Sequence, residues 1–148
     1  GDHHLLLVRG TGALPERVLV SAAVGEPGKE DVAFTGRLVR HLGARVTVLT
    51  VLPAAGPAAA RAQAERFLVA STRTLEPLGV ATETRLGLGE PEEEILSTLA
   101  DGHDLLVLGV PLPEGAGEVG LGGIVRRLVA RTGSAPLLVV RSFEEVPK

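Results

Sequence analysis

The chain has no cysteine, methionine, tryptophan or tyrosine, and its aromatic content is three phenylalanines, Phe34, Phe67 and Phe143. Without cysteine there is no disulfide framework, thiol nucleophile or cysteine-based zinc site, a composition that fits a reducing compartment and gives the cytoplasm as the expected location. Few aromatics and a net charge of −3 remove both the base-stacking platforms and the basic footprint of a nucleic-acid binder. Lysine occurs only at Lys29 and Lys148, neither of which follows the glycines of a P-loop. No apolar run approaches the roughly 20 residues that span a bilayer, and no signal-peptide pattern opens the sequence, so no membrane contact is expected of this domain. With Gly1 first and methionine absent throughout, the chain reads as a segment of a longer protein.

What is present suits one well-cored domain: 148 residues, 45% of them hydrophobic. Residues 1–14 read as an N-terminal extension and residues 15–148 as the domain proper. Within the extension, HLLLVRG (His4 to Gly10) matches PLLVVRS (Pro136 to Ser142) near the far end. Both have four apolar residues and then arginine, the mark of a strand, so the extension reads as an extra strand and the last strand of a preceding sister domain. A terminal pair, His3 and His4, without a third ligand reads as solvent-exposed sequence, and no metal is expected.

RVLVSAA (Arg17 to Ala23) is a nearly continuous apolar strand of the kind found inside a parallel sheet. A helix follows with Val32, Ala33, Phe34, Leu38, Val39 and Leu42 at helical spacing, closed by Gly43. ARVTVLTVLP is the second strand, Ala58 to about Glu76 a helix holding Phe67 and Leu68 inward, and VATETRL (Val80 to Leu86) an alternating strand suited to a sheet edge. Pro91 opens a third helix whose Glu92, Glu93 and Glu94 favour the positive helix end and read as solvated. DLLVLGV (Asp104 to Val110), a glycine-rich loop, a helix from about Gly123 to Thr132, and PLLVVR complete the alternation. Strands and helices in turn mean an α/β fold, a doubly wound parallel sheet with helices on both faces.

The loop Gly109 to Gly123 is where a phosphate site is sought, because glycines leave backbone N–H groups free and the next helix points its positive end there. Gly115, Gly117 and Gly120 spell the dinucleotide fingerprint, with Glu144 as a ribose partner, yet they begin too far beyond the strand end. No G-x-S-x-G elbow exists, and His3, His4, His41 and His103 have no evident nucleophile to serve, so no catalytic residue is assigned and no enzyme is expected.

The phrases RVLVSAAVGEP, HLGARVTVLTVLP, LGEPEEEIL, DLLVLGV and APLLVVR together resemble the universal stress protein family, from about Arg17 to Arg141. The resemblance implies a five-stranded parallel sheet in the order 3-2-1-4-5, ATP binding in one branch, and dimers that often pair through the fifth strand, here Leu137, Leu138, Val139 and Val140. It also implies a motif of Gly, two residues, Gly, nine residues, Gly and then Ser or Thr after the fourth strand. Gly120, Gly123, Gly133 and Ser134 fit that spacing, but Gly133 and Ser134 follow the helix they should open. Anchored on the fourth strand, the motif falls on Gly109, Leu112, Gly122 and Gly123; read backward from Pro136, its helix-opening pair is Gly123 and Ile124. Both registers lose the hydroxyl. The family's strand-end aspartate aligns with Ala23 and its valine with Val51.

The expected nucleotide set is therefore Ala23, Val51, Gly109, Gly122, Gly123 and Ile124, with Arg126, Arg127 and Arg131 as reserve anion ligands on a helix face otherwise suited to solvent. Each lost ligand hydrogen bond costs about 0.5–1.5 kcal/mol. The function expected is a non-enzymatic stress-response or regulatory domain with a degenerate nucleotide site, acting as a homodimer, with a tandem sister domain, or through partners. The alternatives are a nucleotide-binding member with ATP as its ligand and, after it, an ATP hydrolase.

Overall fold

The computed structural model describes residues 3–9, 15–111, 127, 128, 130, 131 and 137–142, with side chains for 15–25, 28–108, 127, 128, 130 and 131. In chain order the elements are β1 (His3–Arg9), β2 (Arg17–Ser21), α1 (Glu26–Val39), β3 (Arg45–Leu52), α2 (Ala58–Leu75) with a 3-10 turn (Glu76–Leu78), β4 (Thr82–Leu88), α3 (Pro91–Leu99), β5 (Leu105–Pro111) and β6 (Leu137–Ser142). They form one sheet ordered β1-β6-β5-β2-β3-β4. The pairs β2·β3, β2·β5, β3·β4 and β5·β6 are parallel and β1·β6 is antiparallel. The α/β class with a parallel sheet between helices is the one expected.

Alternation along the strands divides the core in two. Val18, Val20, Val46, Val48 and Val107 face one side, where Val32 and Val39 of α1 and Phe67, Leu68 and Leu75 of α2 close over them. Leu19, Leu49, Leu106 and Leu108 face the other, against Ile95 and Leu99 of α3 and against Leu128. A strand buried on both faces needs apolar residues at odd and even positions alike, which is why the central strands read as unbroken apolar runs. The weakest strand, β4, lies at an edge, as its alternating pattern implied, with Glu83 and Arg85 exposed.

The helix α1 differs from expectation in its inner face. Val32, Thr35, Gly36 and Val39 are buried, whereas Leu38 and Leu42 are exposed. The buried stripe follows i, i+3, i+4, i+7, and two of its positions are not apolar. Thr35 satisfies its hydroxyl on the Asp31 carbonyl at 2.8 Å. A Cβ on Gly36 would stand 2.5 Å from Leu75 Cδ2, so the glycine lets α2 approach. The helix ends before Gly43, which takes a left-handed φ of 68° in the turn that follows. Phe67 and Leu68 are buried on α2 as expected. Gly79 closes the following turn in the left-handed conformation.

Candidate functional site

In an open α/β sheet, ligands bind beyond the carboxyl ends of the strands, where the chain changes direction between adjacent strands. That crevice lies here between β2 and β5. The connection through α1 leaves β2 toward β3 on one face, while α3 delivers the chain to β5 from the other. Ser21 pairs with Leu49 of β3 and with Leu108 of β5. Ala23, Val51 and Gly109 therefore stand just beyond the same level on three neighbouring strands. Of the six residues expected at a nucleotide site, these three are brought together. Gly122, Gly123 and Ile124 lie outside the described residues, as do Leu112, the remaining loop glycines, Arg126, Gly133, Ser134 and Glu144.

Ala23 is exposed, and its methyl group offers a ligand no acceptor. Its backbone is fixed from behind: a Cβ on Gly28 would lie 1.7 Å from the Ala23 carbonyl oxygen and 3.0 Å from Phe67 Cζ. The first turn of α1 thus rests directly on the end of β2, which only a glycine at position 28 permits. Val51 is half-buried and packs on the α3 side of the core. Gly109 pairs with Val140 of β6.

The start of α3 borders a cleft of about 280 Å³ lined by Glu90, Pro91, Glu92, Glu93 and Arg127. Here the reserve arginines have partners. Arg127 donates to Glu92, and Arg131 donates to both Glu92 and Glu93. The arginine hydrogen bonds hold both carboxyls below the usual glutamate range, Glu92 through Arg131 and then Arg127, Glu93 through Arg131. Glu93 in turn raises Arg131 above its ordinary value. The glutamates expected to be merely solvated tie α3 to the helical residues Arg127 and Arg131. Glu94 turns the other way and packs over Gly87, where a Cβ would meet its Oε1 at 2.9 Å.

At the opposite, amino end of the strands sits a polar cluster that sequence reasoning did not anticipate. His103 is buried, with Nδ1 2.9 Å from the Thr98 carbonyl and Nε2 2.8 Å from Thr47 Oγ1. The carbonyl can only accept, so Nδ1 carries the proton and the neutral Nε2 accepts from the threonine hydroxyl. Desolvation lowers the pKa of His103. Around it, Arg17 donates to the Asp101 carbonyl at 2.9 Å, Arg85 pairs with the Asp101 carboxylate at 2.8 Å, and Asp104 accepts from the backbone N–H groups of Glu16 and Arg17. The Arg85 hydrogen bond holds Asp101 below its ordinary value. The run DGHD, polar residues just before an apolar strand, was the available signal.

The edge strand assigned to dimer pairing is occupied on both sides. Leu137 to Val140 of β6 pair with β5 on one side and with β1 on the other. His3 and His4 belong to β1, and among the described residues no group of three or more His, Cys, Asp or Glu could hold a metal ion. No helix among the described residues is long and apolar enough to cross a membrane.

No protein-family profile and no curated protein matches the chain by sequence. Solved structures do. Universal stress protein UspA from Lactobacillus plantarum is similar with a TM-score of 0.70 at 17% identity, over 88% of this chain and 100% of that one. A universal stress protein from Archaeoglobus fulgidus in complex with dAMP gives 0.66 at 15% identity, over 84% and 97%. One in complex with cAMP gives 0.66 at 20% identity, over 87% and 98%. The chain has the universal stress protein fold.

Proposed function

We propose that this domain is a non-enzymatic stress-response or regulatory module with a degenerate nucleotide site, acting through dimerisation or partners in the cytoplasm. The observation that carries the reading is Ala23. It stands exposed at the crevice between β2 and β5 and supplies a methyl group where a hydrogen-bond acceptor would hold a ligand's donors. Two of the three reserve arginines, Arg127 and Arg131, are already paired with Glu92 and Glu93 at the start of α3, which leaves them poorly placed to serve as anion ligands. A non-enzymatic role is supported by His103, whose two ring nitrogens are both engaged inside the fold, away from the crevice.

A second reading, an adenine-nucleotide binder using Val51, Gly109, Gly122 and Gly123 with altered contacts, is favoured by the similar folds solved with dAMP and cAMP. Hydrolysis of ATP ranks below it, because no nucleophile and base pair converges on the crevice among the described residues. Denaturing freshly purified protein and chromatographing the supernatant separates the first two readings. The degenerate site predicts no stoichiometric nucleotide; one adenine nucleotide released per chain contradicts it.

A further inference from the structure

The residues of α2 divide into two stripes. Ala64, Phe67, Leu68, Ser71 and Leu75 are buried against the core. On the other side Ala62, Glu65, Arg66, Val69, Ala70 and Arg73 recur at i, i+3, i+4, i+7, i+8 and i+11 and line a shallow outer groove of about 470 Å³. Val69 is 53% exposed, more than any other large apolar residue among those described. A lone exposed valine needs no partner. This one stands in a patterned setting. On a solvated helix face a β-branched residue is less favourable than alanine, lysine or glutamate, so water alone gives no reason for it. The small side chains of Ala62 and Ala70 share the groove with it. Among the described residues, Glu65, Arg66 and Arg73 make no ion pair.

The charges are spaced symmetrically about the valine. Glu65 lies one helical turn before Val69, and Arg73 lies one turn after it. Two such helices laid side by side in parallel would set Glu65 against Glu65 and Arg73 against Arg73. Laid antiparallel about a two-fold axis at Val69, each Glu65 meets Arg73 of the second copy, and the two valines meet on the axis. We infer that the outer face of α2 is a self-complementary surface whose partner is a second copy of this chain, paired antiparallel. The β6 edge is already covered by β1 and is not open to a second copy. The inference gives a surface to the dimerisation in the proposed function and rests on that part of it, while standing apart from the state of the crevice. The groove spans about 17 Å of helix, and its alanines let two axes approach to about 8 Å. A single helix pair buries less than the about 1,200 Å² of a standard interface, so a dissociation constant between about 10 µM and about 1 mM is expected.

The test is sedimentation equilibrium of the full chain at concentrations up to about 1 mM. The mass is expected to move from that of one copy, 15.3 kDa, toward twice that value. Val69→Lys sets like charges together on the axis and is expected to abolish the shift. Glu65→Arg and Arg73→Glu each turn both ion pairs into like-charge contacts and are expected to weaken association at least about tenfold, while the double variant recovers to within about threefold of the natural chain. All three positions are exposed, and circular dichroism checks that each variant keeps its fold. The recovery has no source within one chain, since the two positions lie eight residues, about 12 Å, apart along the helix. A natural chain that stays at single-copy mass throughout overturns both the inference and the dimerisation it rests on. A dimer that the single variants leave intact overturns the α2 contact alone and leaves dimerisation through another surface standing. Weakening by the single variants without recovery in the double variant overturns the antiparallel pairing.

Discussion

His103 Nε2 lies 2.8 Å from Thr47 Oγ1, joining the approach to β5 to the amino-terminal part of β3 across 56 residues of sequence. The ring is neutral in this arrangement, and burial holds its pKa below the ordinary histidine value of 6.5. The unfolded chain therefore takes up a proton that the folded chain refuses. Stability from this group is full above about pH 6.5 and declines as pH falls from there toward the lowered folded value. Asp101, Glu92 and Glu93, whose folded values are lowered by their arginine partners, act in the same direction at more acidic pH. Urea midpoints measured from pH 8 to pH 5 are expected to fall for the natural chain and to fall less for His103→Leu. At pH 8 that variant is expected to be less stable by about 1–3 kcal/mol, because the Thr47 hydroxyl and Thr98 carbonyl lose a partner. Parallel pH profiles for the two chains would remove His103 as the cause.

Gly28 sets the distance between α1 and β2. Alanine there puts a methyl group 1.7 Å from the Ala23 carbonyl, a backbone atom that cannot swing aside. Gly28→Ala is expected to cost at least the upper end of the about 1–3 kcal/mol typical of overpacking. Gly56→Ala is the comparison, since its new methyl group would stand 3.3 Å from the nearest atom, and a cost under about 1 kcal/mol is expected. Chemical denaturation of both variants checks the difference. Equal midpoints would mean that α1 does not rest on Ala23.

The pairs from Arg131 to Glu92 and Glu93 lie at the surface. Exposed ion pairs contribute little and are screened by salt. Arg131→Ala is expected to lower the melting temperature slightly in dilute buffer, with the difference closing in 1 M sodium chloride. A deficit that persists at high salt would point to lost packing of the arginine stem instead.

The strands and helices were legible because this sheet is buried on both faces, so strands such as Arg17 to Ser21 stand out as apolar runs between glycine and proline punctuation. The edge position of β4 was legible from alternation for the same reason. The inner face of α1 was not, because apolarity alone marks Leu38 and Leu42, whereas burial follows helical geometry and accepts Thr35 and Gly36. The assignment of Arg127 and Arg131 needed their distance from Glu92 and Glu93, about 35 to 39 residues away in sequence. His103 stayed unread for a similar reason: its partner Thr47 comes from a strand that only the folded sheet brings near. At the crevice, the strand ends could place Ala23, Val51 and Gly109, while Gly122, Gly123 and Ile124 rest on alignment to the family pattern.

Whether the crevice keeps its position but lacks its ligand contacts is decided most directly by isothermal calorimetry with ATP and magnesium on the natural chain and on Ala23→Asp. No saturable heat is expected below about 100 µM for the natural chain. The variant is expected to bind at least about tenfold more tightly, the gain of one charge-assisted hydrogen bond. A dissociation constant in the low micromolar range for the natural chain would contradict a degenerate site.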